Sequence, residues 1–213
     1  MAEAKSSGRV VITPPSIAAY AFVFKPQTPK NPKPGEQPQF KLTLIMEKNE
    51  AAMAPLRNAL LLARTEQFGP NPTFYVKSGI LNGDDEKYRD NPLYRGKYFI
   101  RTKTSTRPGI VGARRDPLTG ALMPILPESE GGRGELEFYS GCICRASVYA
   151  YAYDTDGNKG TAFLLNNVQK LNDGERLSGR RAASDEFDEW TDEDSEGAGY
   201  VPTYSSADND LLG

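Results

Sequence analysis

The chain has 213 residues, a formal net charge of −2, 20 glycines, 16 prolines and no histidine. Without histidine, the usual general-base, nucleophile-relay and zinc-site templates are excluded, and no Gly-x-x-x-x-Gly-Lys-Ser/Thr phosphate loop occurs. The acids at 84–86 and 90, and the pair Glu135 and Glu137, sit in polar loops rather than in a cluster that could hold two nuclease metals. We therefore expect no enzymatic activity, no cofactor and no metal.

Strands are predicted at 9–13, 17–24 and 39–47, because apolar and polar residues alternate there. Between the second and third of these strands, residues 25–39 carry five prolines and three lysines. Proline lacks the N–H that a central strand needs, so this stretch is predicted to be an extended basic loop. In the third strand Lys41 shares a face with Thr43 and Ile45.

One helix is predicted at about 50–68. Asn49 is a suitable N-cap, the apolar residues follow helical spacing, and Gly69-Pro70 ends the run. Because it stands alone among strands, we interpret this helix as the plug of a small barrel. A short strand is also predicted at 74–76, within a longer polar loop.

Residues 97–104 alternate again and place Lys97, Phe99, Arg101 and Lys103 on one face. Three cations on a strand face require either solvent or an anion. The following segment, 105–137, is predicted to be mostly loop, and its arginines include Arg107.

The longest alternating run is at 142–153. Cys142, Cys144 and four small or apolar residues share one face, while Arg145, Tyr149, Tyr151 and Tyr153 share the other. We expect both thiols to be buried and reduced, as in a cytosolic protein. A turn at 154–158 and a return strand at 160–168 complete a predicted hairpin.

These elements together predict a mainly β domain at 8–177, a five- or six-stranded barrel of the OB type, after a flexible N-terminus at 1–7. Residues 1–7 are polar and no apolar run approaches the roughly 20 residues of a membrane span. We therefore expect a cytoplasmic protein without membrane contact, as a monomer or weak dimer.

Charge is distributed unevenly along the chain. Ten of the 28 acids lie in 184–213, which has no lysine or arginine, so residues 1–183 carry 26 basic against 18 acidic residues, a net charge of +8. A basic body with an acidic tail indicates a polyanion-binding protein; the alternative is a tail that only aids solubility. We expect residues 178–213 to be disordered. The tail candidates for partner contact are Asp185, Glu186, Phe187, Asp188, Glu189, Trp190, Asp192, Glu193 and Asp194.

Three stretches resemble the bacteriophage replication single-stranded-DNA-binding proteins. They are the Tyr-Ser-Gly-Cys run at 139–142 with the strand after it, the block Asn-Asn-Val-Gln-Lys…Asp-Gly-Glu-Arg at 166–176, and the segment 96–108. The resemblance covers residues 8–177. It implies an OB-fold protein that coats single strands during phage DNA replication, recombination and repair in the host cytoplasm. The acidic tail would then recruit replication proteins, such as a polymerase, helicase or primase, or recombinase, and compete with DNA for the groove.

This chain departs from the family pattern at its end. It closes on Asp-Leu-Leu-Gly rather than on an aromatic residue, so Phe187 and Trp190 become the candidates for aromatic partner contact.

We expect the strands 97–104 and 142–153 to expose a shared groove for single-stranded DNA, without strong sequence preference because every base has a face that can stack. The predicted base-stacking residues are Phe99, Tyr149, Tyr151 and Tyr153, and the predicted phosphate contacts are Lys41, Lys97, Arg101, Lys103, Arg107 and Arg145. Two alternatives stay open. The tyrosines could form ordinary cross-strand pairs, or the chain could be a protein-interaction or virion-associated module whose tail binds a basic partner.

Overall fold

The computed structural model describes residues 8–29, 32 and 35–177. Within these residues the strands, numbered β1 to β9, are Val10–Ile12, Ser16–Gln27, Gln39–Glu47, Ile80–Asn82, Lys97–Thr104, Gly109–Arg115, Leu122–Pro124, Ile143–Thr155 and Asn158–Asn172. The helices are α1, Glu50–Phe68, and the single-turn α2, Gly134–Glu137. A 3-10 turn lies at Glu128–Glu130.

Five of these strands close into a barrel. β2 pairs with β3, β3 with β5, β5 with β9, β9 with β8, and β8 with β2. Every pair in the ring is antiparallel except β5–β9. A parallel pair needs a long crossover, and the chain between β5 and β9 supplies β8, which fills the remaining place in the ring. The predicted mainly β, OB-like barrel is confirmed.

The sheet is larger than predicted because four short strands extend it. β1 lies on β8, β4 on β5, β6 on β9, and β7 on β6. The prediction that 105–137 is mostly loop was wrong, because β6 pairs in parallel with β9, a partner distant in sequence that local alternation does not reveal. The strand predicted at 74–76 is absent, and the chain instead forms β4 a few residues later.

Helix α1 has the predicted bounds. The Ala52 N–H donates to Asn49 Oδ1 at 3.1 Å, which satisfies one free amide of the first turn. At the other end, the N–H of Gly69, whose φ of 80° is left-handed, donates to the Thr65 carbonyl. Its inner face, which includes Met53, Leu56 and Leu60, is buried in the main core of the barrel. No helix in the described part of the chain is long and apolar enough to cross a membrane.

The predicted hairpin is confirmed and is longer than expected, since β8 and β9 pair from Thr155–Asn158 back to Ile143–Asn172. Asp156 and Gly157 form its two-residue turn and both have positive φ, 51° and 78°, as a tight hairpin requires. The small face of β8 is buried as predicted, with Cys142 and Cys144 as free thiols. Burial raises the pKa of both thiols, so both favour the protonated form.

Candidate nucleic-acid interface

A groove of about 690 Å³ lies on the outer face of β2, β3 and β5 and reaches the β8–β9 hairpin. Its lining combines rings and cations: Tyr20, Phe22, Tyr88, Tyr94, Tyr151, Phe163, Lys41, Lys87, Arg101 and Lys103. Gln27, Thr43, Asn91, Thr102 and Ala162 complete the lining. Aromatic rings beside positive charge are the elements that sequence-tolerant single-strand binding uses.

The strand register brings three of the predicted cations together. In the antiparallel β3–β5 pair, Lys41 lies opposite Lys103 and Thr43 lies opposite Arg101, so all four side chains share the groove face. Among the residues that the structure describes, no carboxylate forms a salt bridge with Lys41, Arg101 or Lys103. Within the described part of the chain, Lys41 Nζ has a single hydrogen-bond contact, to Gln27 Oε1 at 3.5 Å. These cations are therefore available to an anion.

Tyr20 occupies a strained position at the groove. The β2–β3 register shifts between Ala19 and Phe22, and within that bulge Tyr20 has a φ of 49°, which a residue with a side chain rarely adopts. The side chain is 54% exposed. Strain of this kind costs about 1–3 kcal/mol and is found most often at functional sites. The bulge turns the Tyr20 ring toward the groove.

Phe99 does not have the predicted role. Its side chain is fully buried, stacked on Tyr94 with ring centroids 4.2 Å apart and edge-on to Tyr88 at 5.0 Å. The loop between β4 and β5 folds over this end of the sheet and forms a second small core with Ala19 and Ile45. The prediction that Phe99 stacks a base was wrong, because that loop excludes solvent and ligand from its ring.

Arg101, the next residue on the same strand face, is exposed beside this covered end. Its guanidinium carbon lies 5.4 Å from the ring centroids of both Tyr88 and Phe99. Burial, and next to it the proximity of Tyr20, raises the pKa of Tyr94, so its phenol favours the neutral form.

The three tyrosines of β8 have different surroundings, although the rings of Tyr151 and Tyr153 lie 6.3 Å apart. Tyr151 lines the groove, and burial and the nearby Tyr153 raise its pKa. Tyr153 packs its ring over Gly160, where an added Cβ would lie 2.4 Å from the Tyr153 hydroxyl. Tyr149, farther along the strand, lies outside the groove lining beside the N-terminal strand β1, with the Arg9 guanidinium 5.0 Å from its ring centroid. Only Tyr151 of the three lies in the groove.

The other predicted cations also lie outside the groove. Lys97 forms an ion pair with Glu47 and Arg107 forms one with Glu130. The Arg145 Nε–H donates to Gln169 Oε1 at 2.8 Å, beside Ile12 and Val111 in a separate shallow pocket. None of these three lines the groove that holds Arg101, and their role as phosphate contacts stays a prediction. Strand alternation assigns a face correctly but does not show which part of a barrel that face covers.

Five groove aromatic residues were missed from the predicted site, one of which, Phe163 of β9, is a buried core residue. Tyr20 and Phe22 had a signal in the sequence, since they alternate on one face of β2 with no assigned core partner. Tyr88 and Tyr94 had none, because they lie in a polar loop whose folding over the sheet depends on tertiary contacts.

The tail residues predicted for partner contact, 185–194, lie outside the described residues. Within the described residues, no three Cys, Asp or Glu side chains come together as a metal site.

Comparison with known proteins identifies the family of this chain and solved structures with its fold. Residues 9–197 match the family described as Enterobacter phage Enc34, ssDNA-binding protein. The chain is also 32% identical over 111 residues to protein p50 of Acyrthosiphon pisum secondary endosymbiont phage 1. That alignment covers 52% of this chain and 51% of p50, so the chain spans about half the length of this curated relative.

Two solved structures have the same fold. The single-stranded DNA-binding protein from bacteriophage Enc34 in complex with ssDNA aligns with a TM-score of 0.64 at 18% identity, covering 81% of this chain and 91% of that chain. The single-stranded DNA-binding protein gp2.5 encoded by bacteriophage T7 aligns with a TM-score of 0.54 at 11% identity, covering 82% and 96%. The predicted family resemblance is confirmed: the chain belongs to the Enc34 ssDNA-binding protein family.

Proposed function

We propose that this chain is a non-enzymatic protein that binds single-stranded DNA in the groove of β2, β3 and β5. The observation that carries the proposal is the presence of Lys41, Arg101 and Lys103 beside exposed aromatic rings, with no carboxylate partner among the described residues. Family membership and the solved relatives bound to or named for single-stranded DNA support it.

In this proposal Tyr20 and Tyr151 stack bases and the three cations neutralise phosphates. Stacking contributes about 1–3 kcal/mol per base and does not depend strongly on which base is present. The binding is therefore non-specific in sequence and strongly dependent on salt, since each phosphate contact releases counterions. This matches a protein that coats single strands during phage DNA replication, recombination and repair.

The acidic segment 184–213 has a second role in the proposal. Its ten acids and absence of basic residues make it a polyanion tethered to a body of charge +8. A tethered competitor acts at a high effective concentration, so the segment occupies the groove when no strand is present and competes with DNA when one arrives. Once displaced, it recruits replication proteins, with Phe187 and Trp190 as its aromatic contacts.

The test is a set of anisotropy titrations with labelled oligo(dT), oligo(dA), a mixed single strand and the matching duplex, each at several salt concentrations. The proposal predicts similar affinities for the three single strands, weaker binding of the duplex, and a steep loss of affinity with salt. Equal affinity for single strands and duplex would indicate a generic basic surface. No binding to any of them would favour the alternative, a protein-interaction or virion-associated module.

A further inference from the structure

We propose that Tyr88 is a positioning residue for Arg101: its ring and that of Phe99 hold the guanidinium so that its N–H groups face the groove. This inference rests on the proposed function for its consequence in DNA binding, but its structural part applies to the free protein as well.

The geometry around Arg101 is specific. The Tyr88 and Phe99 rings are nearly perpendicular, at 89°, with centroids 5.0 Å apart, and the Arg101 guanidinium carbon is 5.4 Å from each. Both distances lie within the range of attraction between a cation and a ring face. The guanidinium therefore sits in a corner made by two rings, one buried and one at the groove wall.

The corner is rigid because the loop that supplies Tyr88 is anchored at its ends. The Gly96 N–H donates to Asp84 Oδ1 at 2.7 Å, and Lys48 Nζ lies 2.5 Å from Asp84 Oδ2. Gly83 packs so closely that an added Cβ would lie 1.7 Å from the Tyr94 carbonyl oxygen. Inside the loop, the Tyr88 N–H donates to the Asp85 carbonyl at 2.7 Å.

A guanidinium held between these two rings is preorganised for binding a phosphate. An arginine side chain on an open strand samples many rotamers, and fixing it on a phosphate lowers its entropy. The two rings restrict those rotamers before DNA arrives, and a planar guanidinium suits this site better than an ammonium because it stacks on rings and presents a fixed fork of donors. Removing the Tyr88 ring should therefore weaken the contact that Arg101 makes.

Tyr88 has two other possible roles, since its ring also lines the groove. It could stack a base directly, or it could only hold the loop in place. A direct base contact acts independently of Arg101, whereas a positioning role requires Arg101 to be present. A purely structural role alters stability without altering the arginine's own surroundings.

The experiment is a double-mutant cycle on the full chain with Tyr88→Leu, Arg101→Ala and the combined variant, measured by oligo(dT) anisotropy. Removing a cation–ring contact should weaken binding by about threefold to tenfold in Tyr88→Leu. In the Arg101→Ala background, the same substitution should change affinity less than about twofold. Tyr88→Phe keeps the ring and should restore most of the affinity that Tyr88→Leu loses. Tyr75→Leu, at a site 81% exposed and outside the groove lining, is the matched control for losing a surface tyrosine.

A second readout does not involve DNA. In the NMR spectrum of the free protein, ring currents should shift the Arg101 Nε–H resonance upfield, and Tyr88→Leu should move it downfield while Tyr75→Leu leaves it in place. An additive cycle, or an Arg101 resonance that Tyr88→Leu does not move, would overturn the positioning role. If the unmodified chain fails to bind oligo(dT), the proposed function is wrong. The shift of the Arg101 Nε–H resonance in Tyr88→Leu still tests whether the Tyr88 ring positions Arg101.

Discussion

Lys41 of β3 lies directly opposite Lys103 of β5, so two ammonium groups face the same groove across one antiparallel pair. Like charges in this arrangement destabilise a sheet by up to about 1 kcal/mol. Among the described residues neither lysine forms a salt bridge with a carboxylate, so the pair is suited to a polyanion, which removes the repulsion when it binds.

Replacing one of these lysines should separate stability from binding. In Lys103→Thr we expect a free energy of unfolding equal to that of the unmodified chain or up to about 1 kcal/mol higher, because the repulsion is lost. The log–log salt dependence of oligo(dT) affinity should become shallower by about 0.7, the value for one phosphate contact on a single strand. Urea unfolding and salt-dependent titrations measure the two effects. A less stable variant with an unchanged slope would argue against Lys103 as a groove cation.

Arg101 and Arg145 provide a second comparison, since one lies in the groove and the other donates to Gln169 outside it. Arg101→Ala should reduce the salt slope by about 0.7. Arg145→Ala should reduce it by less, because its guanidinium already has a protein partner. Both variants are measured in the same titrations. A larger effect at Arg145 than at Arg101 would place the DNA beside Arg145 and contradict the groove assignment.

The strain at Tyr20 predicts an exchange of stability for affinity. Glycine adopts a positive φ without steric strain, so Tyr20→Gly relieves about 1–3 kcal/mol of strain. This gain is offset by the loss of side-chain packing and by the greater freedom of glycine in the unfolded chain. We expect a free energy of unfolding within about 1 kcal/mol of the unmodified chain, with oligo(dT) binding weaker by about 1–3 kcal/mol.

Phe22→Gly is the matched control, because Phe22 lines the same groove on the same strand. Phe22 does not have a positive φ, so glycine there removes packing and adds backbone freedom without relieving strain, and this variant should be clearly less stable. Chemical denaturation of both variants measures whether Tyr20→Gly lowers the free energy of unfolding less than Phe22→Gly does. Equal destabilisation would mean that the positive φ of Tyr20 stores no strain.

Deleting residues 184–213 should tighten oligo(dT) binding, most strongly at low salt, where attraction between the acidic segment and the basic body is least screened. Trp190 is the only tryptophan, so its fluorescence in the full chain should report release of this segment when DNA binds. Weaker or unchanged affinity after the deletion would contradict competition between the segment and DNA.

Local periodicity was sufficient to predict the elements that alternate strongly. The bounds of β3, β5 and α1 were predicted correctly from alternation and from the Asn49 and Gly69 signals. β6 was not, because it exists through pairing with β9, a contact between parts of the chain that are far apart in sequence.

The same limit applies to the candidate site. Alternation placed Phe99, Arg101 and Lys103 correctly on one face of β5, but it could not reveal that the loop with Tyr88 covers that face at Phe99 and ends before Arg101. Closure of the barrel likewise separated Arg145 from Arg101. Faces of strands were predictable, whereas the covering of those faces by loops depended on tertiary contacts.

The most direct test of the central claim is photo-crosslinking of an oligo(dT) that carries 5-iododeoxyuridine, followed by mass spectrometry to identify the linked residues. Halogenated bases link preferentially to the aromatic rings on which they stack. The groove assignment predicts links at Tyr20, Phe22 or Tyr151, lost when unlabelled oligo(dT) competes. Links confined to Tyr149, Tyr75 or other rings outside the groove would contradict it.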